Sequence, residues 1–241
     1  MPLPTIATPT YDLVLPSNDK KIKYRPFLVK EEKILIIALE SRDSKQITDA
    51  LKQVISNCVL TKGLKVDNLP IFDIEYLFLN IRSKAIGEAI EIVVTCGDDG
   101  TTTVPTTIYV DEIKVQKPEG HTNKIKLDND YSVQMKYPSL EEFVGNNFDI
   151  SNKSSETIER SVKLISKCID MVYNEEDCWS SSDCTDEELV DWVEKLSPKD
   201  YKKMEQFLKT MPKLSHSIEV QNPNTKVTNT IVLEGLSDFF A

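Results

Sequence analysis

Chemistry at this chain's disposal is limited by two histidines, His121 and His216, among 241 residues. Any metal site or nucleophile–base pair must use them, the five cysteines or carboxylates. His121 follows Gly120 in a predicted loop and should be exposed, whereas His216 falls in a predicted strand. On paper, Cys178 or Cys184 could pair with His216 as a thiol nucleophile and its base. The surrounding loop, Glu175-Glu176-Asp177-Cys178-Trp179-Ser180-Ser181-Ser182-Asp183-Cys184, is acidic. Negative charge raises a thiol pKa and works against a thiolate. Glu175, Glu176, Asp177 and Asp183 offer the oxygen donors that calcium takes. Their spacing misses the twelve-residue EF-hand pattern, and no glycine lies between Asn174 and Thr185. A solvated acidic loop is the simpler reading.

Cys96-Gly97-Asp98-Asp99-Gly100 resembles one knuckle of a zinc ribbon, but the second thiolate position holds Asp99, and the terminal hairpin supplies no cysteine. No phosphate-binding glycine loop and no Gly-x-Ser-x-Gly elbow occur. Acidic residues are too many for one pair to stand out as an acid–base couple. These residues predict no catalytic, cofactor or metal site. The remaining chemical reading is a thiol- or metal-dependent hydrolase working through Cys184 or the acidic loop.

Composition supports a folded, acidic protein. The formal net charge is −10, with 40% hydrophobic and 28% charged residues, enough apolar material for a core. Excess negative charge disfavours bare nucleic acid. The basic runs Lys20-Lys21-Ile22-Lys23 and Lys199–Lys203 read as solvated faces. No segment approaches the roughly 20 apolar residues of a membrane span. The start, Met1-Pro2-Leu3-Pro4-Thr5, lacks signal-peptide character, so the chain is expected to stay in the cytoplasm. A disulfide between Cys178 and Cys184 is not expected there. Cys58 and Cys168 should be reduced and buried on apolar helix faces.

The elements follow from periodicity. Residues 1–11 form a proline- and threonine-rich arm, extended and without a core of its own. Strands are predicted at Tyr11–Leu15, Lys21–Phe27 and Lys33–Glu40. A helix follows Ser41-Arg42-Asp43-Ser44, with Ile47, Leu51, Val54, Ile55 and Cys58 on one face. A second starts at Pro70 and is apolar enough to be a central core element, through Ile71, Ile74, Leu77, Phe78 and Ile81. Short strands at Ala89–Cys96, Thr101–Val110, Asp111–Gln116, Asn123–Leu127 and Tyr131–Tyr137 suggest an antiparallel meander.

Ser139 with Glu142, and Thr185 with Glu188, match capping boxes. Ser197-Pro198 opens another helix. Ser155–Tyr173 reads as one amphipathic helix. The chain should end in a hairpin, Leu214–Val220 with Lys226–Leu233. The fold class is α+β. An antiparallel β-rich part with two packed helices (12–148) precedes a small helical subdomain (149–211) and a C-terminal hairpin with an aromatic tail (212–241). The polar stretch Asn146–Ser155 is the expected divide.

Leu236, Phe239 and Phe240 lie at helical spacing at the C-terminal end. Aromatic side chains there must dock, on the chain's own core or on a partner. Two stretches carry a family resemblance: Lys23-Tyr24-Arg25-Pro26-Phe27-Leu28-Val29-Lys30-Glu31-Glu32-Lys33-Ile34-Leu35, and Met211-Pro212-Lys213-Leu214-Ser215-His216 with Leu233–Phe240. Together with the Pro-Thr-Tyr opening, they resemble the baseplate hub subunit and hub assembly family of T4-like myoviruses, of cyanophage type.

The resemblance implies a late viral protein that builds the hub of the tail baseplate, or assists its assembly as a chaperone, by protein–protein docking. It implies no enzyme and no cofactor. Its implied partners are other hub and tail proteins, with self-association open. Its implied location is the host cytoplasm during assembly and, for a member that stays with the particle, the virion tail baseplate. Tyr24, Arg25, Phe27, Leu236, Phe239 and Phe240 are the candidate contact residues. An early, host-directed binding protein is the other non-enzymatic reading.

Overall fold

The computed structural model describes residues 6–128, 130–145 and 155–239. The fold is α+β, with helices and small antiparallel sheets. Two compact units emerge: residues 1–116 together with 213–241, and residues 117–212. Most of the polar stretch expected as the first divide lies outside the described residues.

The first unit opens with β1 (Tyr11–Val14) antiparallel to β2 (Lys21–Tyr24), Tyr11 facing Tyr24. Asp19 turns the chain with φ 56. Ser17 anchors the turn by donating its backbone N–H (3.0 Å) and hydroxyl (2.5 Å) to the buried carboxylate of Asp73.

Here the structure corrects a prediction. Lys33–Glu40 is not a strand but part of helix α1 (Val29–Ser41). Its isoleucines favour a strand reading, yet the Lys30-Glu31-Glu32-Lys33 turn favours a helix. Glu31 decides the matter by accepting the otherwise unpaired N–H of Leu28 at 2.9 Å. Arg42 ends α1 in the left-handed region, φ 54.

Asp43 then caps α2 (Ser44–Cys58), accepting from the N–H groups of Lys45 and Gln46. Val54, Ile55 and Cys58 are buried on its inner face. Helix α3 (Ile71–Ile86) is buried at Ile71, Phe72, Ile74, Leu77, Leu79 and Ile81, as its apolar sequence predicts.

Strands β3 (Ala89–Thr95) and β4 (Thr103–Tyr109) form a hairpin in which Ile90, Ile92 and Val94 point inward. A short 3-10 turn leads to β5 (Lys114–Gln116).

In the second unit, β6 (Lys124–Lys126) pairs with β7 (Ser132–Met135), and α4 (Leu140–Gly145) follows. Ser139 and Glu142 form the predicted reciprocal cap. Helix α5 (Ser155–Lys167) stops short of its predicted end, and Ile169–Tyr173 is instead β8. No glycine or proline marks this break. β-Branched Ile169 and Val172 continue the apolar pattern across it, which concealed the change of period.

Strand β8 pairs with β7 and with β9 (Cys178–Ser180), giving a sheet ordered β6-β7-β8-β9. Helix α6 (Asp186–Glu194) carries the Thr185–Glu188 box, and α7 (Pro198–Lys209) is capped by Ser197. The three helices α5, α6 and α7 share a core with this sheet through Val133, Met135, Ile165, Val193, Met204 and Phe207.

The chain then returns to the first unit. Strand β10 (Lys213–Gln221) pairs on one side with β11 (Thr228–Glu234) and on the other with β5. Helix α8 (Gly235–Phe239) closes the described chain. Leu79, Ile92, Ile108, Leu214, Leu233 and Phe239 meet in one core. Buried Asn222 ties the β10–β11 turn to the β3–β4 turn, donating to the carboxylates of Asp98 and Asp99.

Candidate interaction surfaces

Several of the residues with catalytic potential are put to structural use. His121 is not the exposed loop residue predicted. It is half-buried and stacks against Phe207 (centroids 5.1 Å) and Tyr137 (5.7 Å). Its ring nitrogens sit 3.0 Å from the hydroxyls of Thr210 and Tyr137. Burial, with Lys117 adding, holds its pKa below the ordinary imidazole value. His216 lies in the first unit, 3.8 Å from Glu112, whereas Cys178 and Cys184 belong to the second.

All five thiols are free. Cys58 and Cys168 are buried as expected, and Cys96 with them. Desolvation pushes the Cys58 thiol up to about 11 despite the nearby Arg25.

The acidic loop is a solvated turn, in which Asn174 accepts the N–H groups of Glu176 and Asp177. Among the described residues, no three His, Cys, Asp or Glu side chains converge to hold a metal ion. The Asp98-Asp99 turn is likewise spoken for. Asp99 accepts from Thr102, both hydroxyl and N–H, and from Asn222, which together hold its carboxyl well below the usual range.

The first motif stretch forms a buried knot. Tyr24 is buried, and desolvation raises its phenol to about 12. Phe27 is buried too. Arg25 donates to Glu31 at 3.0 Å and to the Pro26 carbonyl at 2.9 Å. Glu31 is fully buried. Desolvation alone would raise its pKa. The bonds from Arg25 and the Leu28 N–H outweigh it and hold the carboxyl below its ordinary value.

At the other end, Phe239 is buried in the first unit's own core and Leu236 packs against the same cluster. The Leu236 N–H donates to Glu75 of α3 at 3.2 Å. Phe240 lies outside the described residues.

What the first unit exposes is a helix face that the strand reading could not reveal. On α1, the flank holding Glu31 and Ala38 is buried, with α2 against the helix. Val29 (80% exposed), Ile36 (49%), Ile37 (55%) and Leu39 (61%) face solvent. These aliphatic groups share the outer side of the helix with exposed Glu32, Lys33 and Glu40.

Among the described residues of the second unit, two grooves are rimmed by charged side chains. One runs past Glu141, Glu142, Asp186, Asp191 and Glu194. The other is basic, with Lys124, Lys126, Lys199, Lys202 and Lys203. In the basic groove Asp128 neutralises Lys199 (2.8 Å) and Lys203 (2.6 Å). No helix of the described chain is long and apolar enough to cross a membrane.

Comparison with known families finds one match over nearly the whole chain. The family described as T4 bacteriophage base plate protein aligns with residues 8–241. No curated protein matches the chain. No solved structure matches it either.

Proposed function

Since the chain belongs to the T4 bacteriophage base plate protein family, we propose that it is a structural or assembly subunit of the baseplate hub. The family itself supports a structural role in the phage tail. The narrower hub reading rests on the resemblance of its two end stretches to hub subunits. In this reading the protein works by docking against other hub and tail proteins, in the host cytoplasm during assembly, and it catalyses no reaction.

The observation that carries a docking role is the uncovered aliphatic face of α1. Leaving such a surface in water costs free energy that burial against another polypeptide recovers. Arg25 ties that helix to the end of β2 through Glu31, and Tyr24 and Phe27 are buried nearby in sequence. They are proposed to set the angle at which α1 meets a partner, in place of touching the partner themselves. Leu236 and Phe239 similarly secure the C-terminal end.

A tagged copy expressed during infection, purified and analysed by mass, should bring down hub and tail proteins. Deleting the gene should leave host cells with unassembled tails. Infectious tails of normal yield without the gene, together with a pull-down free of tail proteins, would overturn the hub assignment.

A further inference from the structure

We propose that the basic groove beside β6 receives the acidic β8–β9 turn of a second copy of the chain, so that copies associate head to tail. The inference does not rest on the hub assignment, because it follows from charge and from the order of strands in one sheet. The groove lies between β6 and α7. Buried Ile125 and Phe207 form its floor, and Lys124, Lys126, Lys199, Lys202 and Lys203 rim it. Two of the five are compensated within the chain. Asp128 pairs with Lys199 (2.8 Å) and Lys203 (2.6 Å), and Asp200 also pairs with Lys203 (2.9 Å). Lys124, Lys126 and Lys202 are exposed and form no ion pair with a described residue. In a chain of net charge −10, they leave three neighbouring positive charges unanswered.

The complementary group is the turn between β8 and β9. It presents Glu175, Glu176 and Asp177, all exposed and likewise without an ion pair to a described residue. Its shape is set in advance. The Asn174 side chain accepts the N–H groups of Glu176 and Asp177, and the Asn174 N–H donates to the Asp177 carbonyl at 2.9 Å. A preformed turn loses little conformational freedom on binding. Strand order then sets the mode of association. In the sheet β6-β7-β8-β9, the groove borders one edge and the turn joins the two strands at the other. Within a chain, β7 keeps β6 and β8 about 10 Å apart, and no lysine of the groove pairs with the turn. Two different surfaces that fit one another make a heterologous contact, which closes into a ring or runs on as a filament.

Sedimentation of the full-length protein over a concentration series at low salt should show association that continues beyond a dimer and weakens as salt is added. One variant, Glu175→Gln with Glu176→Gln and Asp177→Asn, removes the charge of the turn. A second, Lys124→Gln with Lys126→Gln and Lys202→Gln, removes that of the groove. Each alone should weaken association about tenfold, as the loss of three exposed ion pairs would. Both should keep the parent circular dichroism spectrum, because all six positions are exposed. Mixed in equal amounts, the two should pair as tightly as wild-type copies but stop at the dimer, since the mixture offers one intact groove to one intact turn. A wild-type chain that stays monomeric at every concentration overturns the proposal and leaves the groove to a different acidic protein. So does wild-type association that stops at a dimer, or a mixture that associates no better than either variant alone.

Discussion

Glu31 illustrates how one side chain can fix a local fold and titrate with it. Its carboxylate accepts from Arg25 and from the Leu28 backbone, so it joins strand β2 to the start of α1. Replacing Arg25 by Met would leave the buried carboxylate with only the largely exposed Lys30, 3.4 Å away, as counter-charge. The cost should be about 3 kcal/mol, at the lower end for broken buried pairs because Arg25 is partly solvated and Lys30 remains. Urea denaturation would measure it. Converting Arg25 and Glu31 together to Met should recover part of the loss, since no lone charge remains.

The pH dependence has a definite sign. Glu31 titrates lower in the folded protein than in the unfolded chain. Its contribution is therefore complete above the ordinary glutamate pKa of about 4.3 and disappears as pH falls through the folded value. In the Arg25→Met variant that acid-labile component should shrink, since only the Leu28 N–H and Lys30 remain to favour the carboxylate. An unchanged acid limb in the variant would mean that the pair does not stabilise the fold.

Among the elements, α8 meets α3 at a buried carboxyl whose pH behaviour is the opposite, because burial dominates it. Glu75 on α3 receives the Leu236 N–H at the start of α8. Burial raises its carboxyl to about 7, while that one hydrogen bond pulls weakly the other way. A raised carboxyl favours the folded state fully below the ordinary glutamate value. The advantage is lost as pH rises through about 7. Glu75→Gln mimics the protonated acid and keeps an acceptor oxygen for Leu236. The variant should match the parent at pH 4, and at pH 8 its α8 amides should exchange with solvent more slowly. Identical exchange at both pH values would refute the role of Glu75.

Gly235 belongs to the same contact. Its φ is +71, and a Cβ there would meet Glu75 Oε1 at 3.1 Å, so only glycine fits without strain.

Legibility in the sequence divided along physical lines. The caps at Ser139, Thr185 and Ser197 were readable because a cap is a local pattern of side chain and N–H. Helix α3 was readable from its apolar content. The start of α1 was not, since Glu31 takes its partner from Arg25, just past β2 and six residues earlier, and no periodicity encodes that bond. Strand β8 was hidden because its apolar residues continue the stripe of α5. The aliphatic face of α1 was lost with the helix itself. A strand over Lys33–Glu40 alternates Ile34, Ile36 and Ala38 to one side, whereas the helix turns Ala38 inward and Ile36 out.

At the scale of the whole chain, the two units differ in how they are encoded. Residues 117–212 are contiguous and own a complete core, with β6, β7 and β8 covered by α5 and α7. The first unit is discontinuous, because β10 supplies the middle strand between β5 and β11, and α8 supplies Phe239. A chain truncated after residue 212 therefore lacks the centre of that sheet, and its first unit should not fold. The isolated fragment 117–212 should fold, being of a size at which single domains stand alone. It should show a helical circular dichroism spectrum and a cooperative thermal transition. The fragment 1–116 should acquire such a transition only when the 213–241 segment is fused or added. Cooperative unfolding of 1–116 by itself would mean that β3, β4 and α3 suffice for a core, and that the terminal hairpin is an accessory to it. Non-cooperative melting of 117–212 would place part of that unit's stability in the rest of the chain.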